Sequence, residues 1–446
     1  MKHIYFLIAL FPPTAKKMGL LLLGMIILLS MGSLTGCVEV PLPDDSEFVV
    51  EEREEVIEDT ESTSLAFTAR SGTYSLNLDS KHLTLVCDYP EAEISFDGNR
   101  IVCLPDSLSS PLYFHDIRSG RLASIDIWEK TALAKPTLAS NGKTLIVPTP
   151  LDIEDPGNVL SVLRVFDDLG FAINEITSLI LHGFVGPDHA LINDPLEIWS
   201  FRDPEKEPTP VGARRVELHN FPPYGVLFED SRKVYFFGVN DSAAREIAEG
   251  DLINANRGQV LIEQEVEQEE GRDRLQLALY NLKDFSLISR QDAPTTPFYR
   301  DFEAQLLGDG VVLVQEKESR SCGDDRVSFA LKSIYFNFKT KKQHVLMDED
   351  TPHFVDLGIK GKYALVIQLD PCARPIQKAW LKVISQNQKV QLPDTLKDQI
   401  LGGEVSRFGR YIGLYGEDVF WLLDTRDLSF DAILSGEPID SIIGFR

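Results

Sequence analysis

The chain has 446 residues, of which 44 are Lys or Arg and 69 are Asp or Glu, so its formal net charge is −25. Hydrophobic residues make up 43% and charged residues 25%, values that exclude a wholly disordered, collagen-like or multi-span membrane chain. The acidic balance also argues against a nucleic-acid partner, because binding to phosphates needs clustered Lys and Arg.

Residues 1–36 have the parts of a secretory signal. Lys2, Lys16 and Lys17 form a basic stretch without acids, and an apolar run follows from residue 18 to residue 31. The apolar run is short compared with the ~20 residues that a membrane-spanning helix needs. We therefore predict a cleaved leader, with an uncleaved transmembrane anchor as the alternative.

The sequence Leu34-Thr35-Gly36-Cys37 resembles the lipobox of bacterial lipoproteins, in which a Leu, two small residues and a Cys are recognised together. The resemblance implies cleavage between Gly36 and Cys37 and covalent lipid on the thiol and the new amino group of Cys37. Three acyl chains hold a protein at a membrane far better than one. Val38 stands where inner-membrane lipoproteins of enterobacteria carry Asp, which favours the outer membrane.

Residues 37–64 are predicted to form a flexible tether after the lipidated Cys37. Their acidic residues include Asp44, Asp45, Glu47, Glu51, Glu52, Glu54, Glu55, Glu58, Asp59 and Glu61. A run of like charges repels itself and buries no core, so an extended spacer is expected. The alternative interpretation is a docking tail for a basic partner or for divalent cations.

In residues 65–446, short runs of Val, Ile, Leu, Phe and Tyr alternate with turn residues, a pattern that predicts many short strands and no long amphipathic helix. Residues 94–122 set the pattern of strand, turn, strand, loop, strand, turn and strand, and Asp97-Gly98 supplies the positive φ of a tight hairpin. The same skeleton returns seven more times in units of about 35–51 residues, and four-stranded propeller blades have ~40–50 residues. The turns that open these units lie near residues 141, 187, 230, 257, 309, 361 and 409.

The turn of residues 95–100 (Ser-Phe-Asp-Gly-Asn-Arg), with Tyr-Phe-His-Asp-Ile after it at 113–117, resembles the blades of WD-repeat and Tol-type bacterial β-propellers. The resemblance implies a single all-β propeller at residues 65–446, with eight blades favoured over seven. Strands at 74–86 and 441–445 are predicted to complete one shared blade, because closure removes exposed sheet edges. Two β domains divided near residue 250 are the alternative architecture.

Four cysteines besides Cys37 form an even set in an exported chain, and they allow three pairings. Cys87 and Cys103 flank one strand–turn–strand unit, and Cys322 and Cys372 lie about one blade apart. We predict the disulfides Cys87–Cys103 and Cys322–Cys372, as an oxidising compartment permits. Buried free thiols in core strands are the alternative.

No motif assigns a catalytic activity to the chain. The eight histidines lack zinc-site spacing, and no nucleophile elbow, phosphate-binding loop or dinucleotide fingerprint is present. His115 is predicted to be a framework residue of its blade. The four tryptophans are predicted to lie in the core: Trp128, Trp199, Trp380 and Trp421.

One acidic loop has oxygen ligands that could hold calcium. Its residues are Asp152, Glu154, Asp155 and Asn158. Their spacing differs from that of the twelve-residue calcium loop, so a solvated loop is favoured and calcium is the alternative.

These features favour a lipid-anchored, non-enzymatic propeller that binds or scaffolds a protein partner in the cell envelope without a cofactor. Propellers hold partners on loop-built rims and faces. The alternatives are a propeller enzyme, such as a polysaccharide lyase or hydrolase, and a sensor of a small ligand.

Overall fold

The structure is a computed structural model that describes residues 64–445 with internal gaps. The gaps are residues 90, 96–99, 105–110, 118, 126–135, 140–141, 151–160, 179, 204, 214, 267–273, 293–300, 323–324, 369, 371, 373–377, 387, 394–395, 397–399, 417–418 and 435–438. The predicted leader, Gly36, Cys37 and the tether before Ser64 lie outside the described residues. So do the Asp97-Gly98 turn, Trp128 and the predicted calcium loop.

The described residues form 35 β-strands and no α-helix. Strands β1 to β3 are Ser64–Ala69, Gly72–Asn77 and Leu83–Cys87. Strands β4 to β7 are Glu91–Ile94, Arg100–Leu104, Leu112–Asp116 and Arg121–Ile125. Strands β8 to β11 are Thr137–Leu138, Thr144–Pro150, Ser161–Asp167 and Ala172–Ser178. Strands β12 to β15 are Leu181–Phe184, His189–Ile192, Glu197–Ser200 and Thr209–Pro210.

The next two groups of strands follow the same order. Strands β16 to β19 are Glu217–His219, Gly225–Asp230, Lys233–Gly238 and Arg245–Glu249. Strands β20 to β23 are Asp251–Asn256, Gln259–Val266, Arg274–Asn281 and Leu287–Asp292.

The last twelve strands complete the chain. Strands β24 to β27 are Asp301–Gly308, Val311–Cys322, Asp325–Asn337 and Lys342–Leu357. Strands β28 to β30 are Tyr363–Gln368, Lys378–Val383 and Gln388–Gln391. Strands β31 to β35 are Gly402–Val405, Tyr411–Tyr415, Val419–Asp424, Ser429–Leu434 and Ile439–Phe445.

These strands form seven four-stranded sheets and one seven-stranded sheet, all antiparallel meanders. The first strands of successive sheets contact one another, as β4 contacts β8 and β16 contacts β20. The sheets therefore stack around an axis, with their first strands innermost. The predicted all-β propeller of four-stranded blades is confirmed, and the described strands belong to one compact unit without a division near residue 250.

The ends of the chain close the ring. Strand β35 pairs with β1 through Leu65↔Phe445 and Ala66↔Gly444, in the sheet order β3-β2-β1-β35. Phe67 and Phe445 pack with Phe420 of the preceding sheet in one buried cluster. The predicted shared blade is confirmed, and we number it blade 1.

The seven-stranded sheet contains two blades that share β27. This strand pairs with β26 from Asn337↔Lys342 to Ala330↔His353, with a register shift after Lys332↔Asp348, and it pairs with β28 from His353↔Gln368 to Leu357↔Ala364. Counted by meander, the described strands give nine four-stranded units, one more than the eight that the sequence favours. The eight repeats in the sequence correspond to blades 2–9, and the shared blade 1 is an additional unit.

Stacking covers both faces of most sheets, so their middle strands are almost continuously apolar. Strand β28 has five consecutive buried residues, Tyr363 to Ile367. Between blades 5 and 6, Leu227 and Phe236 pack against Ile262 and Ala278. A single four-stranded sheet could not bury both sides, and the repeat therefore depends on its neighbours.

The meander places turns of different kinds on opposite faces of the ring. If the strands of each blade are lettered a to d from the axis outwards, the a–b and c–d turns lie on one face. The b–c turns and d–a connections lie on the other. Strand β1, the b strand of blade 1, begins at Ser64 on the first face, which we call the proximal face; the opposite one is the distal face. Within the described ranges, no helix has the length and apolar character to cross a membrane.

Candidate binding faces

A recurring a–b turn places an arginine on the proximal face. Ser95 Oγ accepts the N–H of Arg100 at 3.0 Å, and Ser406 Oγ accepts the N–H of Tyr411 at 2.9 Å. Each serine also donates its own N–H to the carbonyl oxygen of the same partner, at 2.8 Å. This closed turn positions Arg100 at the start of the b strand of blade 2 and Tyr411 at the start of the b strand of blade 9, and Arg410 directly precedes Tyr411.

Arg100 joins blades 2 and 3. Its guanidinium lies 3.5 Å from Asp116 at the end of its own c strand and 3.0 Å from Asp168 in the next blade. Arg121 approaches the same Asp168 carboxylate at 3.5 Å. The Arg100 side chain is only 12% exposed, so these charges are largely shielded from water and salt.

An equivalent network joins blade 9 to blade 1. Arg410 lies 3.3 Å from Asp424 and 3.8 Å from Asp79, and Arg426 lies 2.7 Å from Asp424. Burial opposes ionisation of Asp424, but the hydrogen bonds and charges of Arg426 and Arg410 hold its pKa below the ordinary value. Burial also raises the pKa of Tyr411, which donates to Asp79, to about 12.

Three a–b turns surround one phenylalanine with cations. The Phe408 ring centroid lies 4.8 Å from Lys360, 5.4 Å from Arg407 and 5.8 Å from Arg257. These residues come from blades 8, 9 and 6. The aromatic face attracts these cations, and together they create a positive potential on the proximal face. A positive potential of this kind favours anionic groups.

Glycines allow the turns of blades 8 and 9 to approach this closely. A Cβ atom on Gly358 would lie 2.2 Å from the backbone nitrogen of Gly409. Gly409 itself has φ +80°, a conformation that side chains disfavour. The cationic cluster therefore depends on backbone contacts that only glycine permits.

Inner strands are joined by side-chain acceptors. Four of them accept the backbone N–H of the next blade: Glu93 from Leu138 at 3.2 Å, Glu217 from Ala255 at 3.0 Å, Asn254 from Leu306 at 3.1 Å and Asp356 from Val405 at 2.7 Å. Burial raises the pKa of Glu217, and it raises the pKa of Asp356 to about 6. The sequence analysis missed these acceptors. An alignment of the repeats around Glu93 and Asp356 would have shown an acidic residue two positions before the a–b turn in both.

The distal face has a polar cleft of about 480 Å³ between blades 5 and 6. Its lining residues are Ser231, Arg232, Lys233, Glu249, Gly250, Asp251, Glu263, Gln264, Glu265 and Arg290. Asp251 and Glu263 are direct partners across two strands. Burial, followed by the charges of Asp251 and Glu265, raises the pKa of Glu263. The cleft thus holds four acids beside Arg232, Lys233 and Arg290, and the Asp251–Glu263 pair is the place where a cationic ligand would relieve repulsion.

Both disulfides of the structure also lie at the distal face, and each joins neighbouring blades. Cys87 at the end of β3 is bonded to Cys103 in β5, with Cα atoms 6.4 Å apart. Cys322 at the tip of the β25–β26 hairpin is bonded to Cys372 of blade 8, with Cα atoms 5.1 Å apart. These are the pairs that the sequence favours; the redox state of the purified protein stays a prediction.

A serine–histidine contact lies between blades 7 and 8. Ser333 Oγ is 2.8 Å from His353 Nε2, and Gln315 donates to Ser333 Oγ at 3.2 Å. His353 Nδ1 faces the carbonyl oxygen of Thr351 at 2.9 Å, where a catalytic triad has a carboxylate. Ser333 and His353 are 0% and 1% exposed. This buried pair stabilises the junction of the two blades.

The remaining predicted residues fall into the framework. His115 lies in β6 beside Asp116, and burial lowers its pKa although Asp116 opposes this. Trp199, Trp380 and Trp421 lie in the core as predicted. The described part of the chain contains no cluster of three or more His, Cys, Asp or Glu side chains that could hold a metal ion.

No family model matches the sequence, and no curated protein matches it. Among solved structures, the chain is similar to dihydro-heme d1 dehydrogenase NirN in complex with DHE, with 12% identity, TM-score 0.39, and 86% of this chain and 77% of that chain covered. It is similar to a eukaryotic initiation factor, with 12% identity, TM-score 0.43 and coverage of 84% and 86%. It is also similar to TolB from Acinetobacter baumannii, with 11% identity, TM-score 0.29 and coverage of 52% and 64%. Similarities this low carry no argument about function, and the fold rests on the sheet topology.

Proposed function

We propose that the protein is a lipid-anchored propeller of the bacterial envelope that acts as a protein-binding or scaffolding module. Lipid on Cys37 attaches it to the membrane, with the outer membrane favoured, and the distal cleft binds a basic segment of an envelope protein. The observation that carries the proposal is the cleft between blades 5 and 6, in which Glu249, Asp251, Glu263 and Glu265 line one concave surface.

The chemistry of the cleft favours a cationic partner. Glu263 has its pKa raised by burial and by neighbouring acids, so a Lys or Arg from a partner would relieve repulsion that the free protein bears. Charge complementarity of this kind increases the rate and the specificity of association. The net charge of −25 steers a basic partner towards the protein from a distance.

The proposal is tested by crosslinking and affinity capture from native envelopes with four forms of the full chain. The parent form is compared with Cys37→Ala, which cannot be lipidated, and with Glu263→Lys, which reverses charge in the cleft. Glu205→Lys, an exposed change on the proximal face, is the matched control. We expect a stoichiometric partner that Glu205→Lys retains, Glu263→Lys loses and Cys37→Ala recovers less well. Recovery of the bait alone, or equal capture by Glu263→Lys, would overturn the proposal.

A further inference from the structure

A turn of blade 3 exposes apolar side chains on the proximal face. In the c–d turn between β10 and β11, Leu169 is 46% exposed and Phe171 is 66% exposed, and Ile173 follows at 42%. Phe171 is the most exposed of the large hydrophobic residues that the structure describes. Leu169 lies in the turn itself, Phe171 directly precedes β11, and Ile173 is its second residue.

The turn is built to hold these side chains outwards. Asp167 Oδ1 accepts the N–H groups of Leu169 at 2.9 Å and Phe171 at 2.8 Å, and Asp167 and Phe171 also bond through their backbones at 2.9 Å. Gly170 adopts φ +83° and packs against blade 2, and Arg121 donates to the Asp168 carbonyl at 3.1 Å. A turn fixed on both sides cannot fold its apolar tip back into the core.

The position of the turn indicates what covers it. The described chain begins at Ser64 on the same face, which is where the predicted lipid-bearing segment joins the domain. The c–d turns of blades 6 and 7 carry exposed lysines on this face, and Lys339 among them pairs with Asp309: Lys283, Lys339, Lys341 and Lys342. Apolar side chains among lysines on a single face are the combination that binds at the interface of an anionic bilayer.

We propose that the proximal face lies on the surface of an anionic phospholipid membrane, with Leu169 and Phe171 inserted at the level of the headgroups. The identity of the membrane rests on the proposed anchoring through Cys37, but the contact itself does not need the anchor. In the anchored protein, the tether raises the local concentration of lipid at this face, so that a weak contact is sufficient. The acidic distal cleft is then directed away from the membrane.

The experiment measures vesicle binding by the mature full-length chain carrying Cys37→Ala, so that no acyl chain contributes. The vesicles contain phosphatidylethanolamine and phosphatidylglycerol, and phosphatidylcholine vesicles report the contribution of lipid charge. The test variant combines Leu169→Ser and Phe171→Ser. The matched control is Leu85→Ser, which changes a residue 52% exposed on the rim strand β3 of blade 1. Thermal unfolding verifies that all variants fold.

We expect the test variant to bind the anionic vesicles about tenfold more weakly, as loss of partial burial of a Phe and a Leu predicts. Leu85→Ser should bind like its parent. Equal binding by test variant and control, or no binding by the parent, would overturn the proposal. The test variant could instead bind vesicles like its parent but fail to capture an envelope protein from native envelopes. That result would show that the turn contacts a protein, and it would equally overturn the proposal. If native Cys37 carries no lipid while vesicle binding persists, the anchoring fails and the membrane-binding face stands.

Discussion

The two faces of the ring are stabilised by different means. On the proximal face, the networks centred on Arg100 and Arg410 join blade 2 to blade 3 and blade 9 to blade 1. On the distal face, two disulfides join blade 1 to blade 2 and blade 7 to blade 8. Reductant opens the disulfides, whereas substitution of Arg100 or Arg410 opens the ion-pair networks, so the two treatments probe the two faces separately.

This difference bears on function. Covalent bonds hold the distal rim, Glu265 of the cleft pairs with Arg232 at an exposed site, and we expect a cationic partner to meet the Asp251–Glu263 pair. The proximal charges are largely committed to one another, as at Asp168 and Asp424, and this face offers apolar tips and lysines instead. The comparison predicts that loss of a cleft acid affects partner binding at the distal face, whereas loss of Arg100 or Arg410 affects fold stability at the proximal face.

The largest expected effect is loss of a distal disulfide. Replacing Cys322 and Cys372 by Ala opens a loop of sequence separation 50 and should lower the free energy of unfolding by about 4 kcal/mol. Replacing Cys87 and Cys103, with separation 16, should cost about 3 kcal/mol. Denaturant unfolding measures both changes. Intact mass with and without reductant is the control, and a mass that does not increase on reduction would contradict the pairing.

The second effect concerns the buried inner-strand carboxyl of Asp356. Its pKa of about 6 in the fold lies above the ordinary 3.8, so the folded state holds the proton more tightly than the unfolded chain does. Its contribution to stability is thus complete below pH 4 and is lost as the pH rises through 6, by about 3 kcal/mol. Between pH 4 and pH 7, the free energy of unfolding of Asp356→Asn should rise by that amount relative to the parent. Denaturant unfolding at each pH measures the difference. A pH-independent difference would contradict it.

The third effect tests the proximal network. Arg100→Met leaves Asp116 and Asp168 without their shared cation in a partly buried site and should lower the free energy of unfolding by about 2 kcal/mol. Arg121→Met, at the exposed edge of the same network, is the control and should cost less. If Arg100→Met lowers the free energy of unfolding no more than Arg121→Met does, the network does not stabilise this face.

The smallest effect is expected at an exposed distal pair. Arg232 lies 2.8 Å from Glu265, but their side chains are 66% and 48% exposed. Arg232→Met should change the free energy of unfolding by less than about 0.5 kcal/mol, because water screens such pairs. It also removes a cation from the cleft, so binding of a lysine-rich probe peptide should strengthen. Weaker peptide binding would mean that the acids of this cleft do not recognise cations.

Local signals explain what could be predicted from the sequence. Short turns such as Ser95–Arg100 and the apolar runs beside them reveal the repeat, because hairpins depend on residues close in sequence. The shared blade could be predicted from unmatched strands at the two ends. The Arg100–Asp168 pair spans 68 residues, and the cleft needs three turns from two blades, so neither has a local signature. Strand β27 belongs to two successive repeats, and its continuity depends on a register shift near residues 348–353. A local repeat pattern does not indicate such a shared strand.

The most direct test of distinct roles for the two faces is hydroxyl-radical footprinting of the lipidated full chain in detergent and in anionic bilayer nanodiscs. Leu169 and Phe171 report on the proximal face, and Phe228 and Tyr235, stacked near the distal b–c turn of blade 5, report on the opposite one. The account predicts that the bilayer lowers oxidation of Leu169 and Phe171 several-fold and leaves Phe228 and Tyr235 unchanged. Equal oxidation of Phe171 in both media, or protection of the distal pair instead, would contradict it.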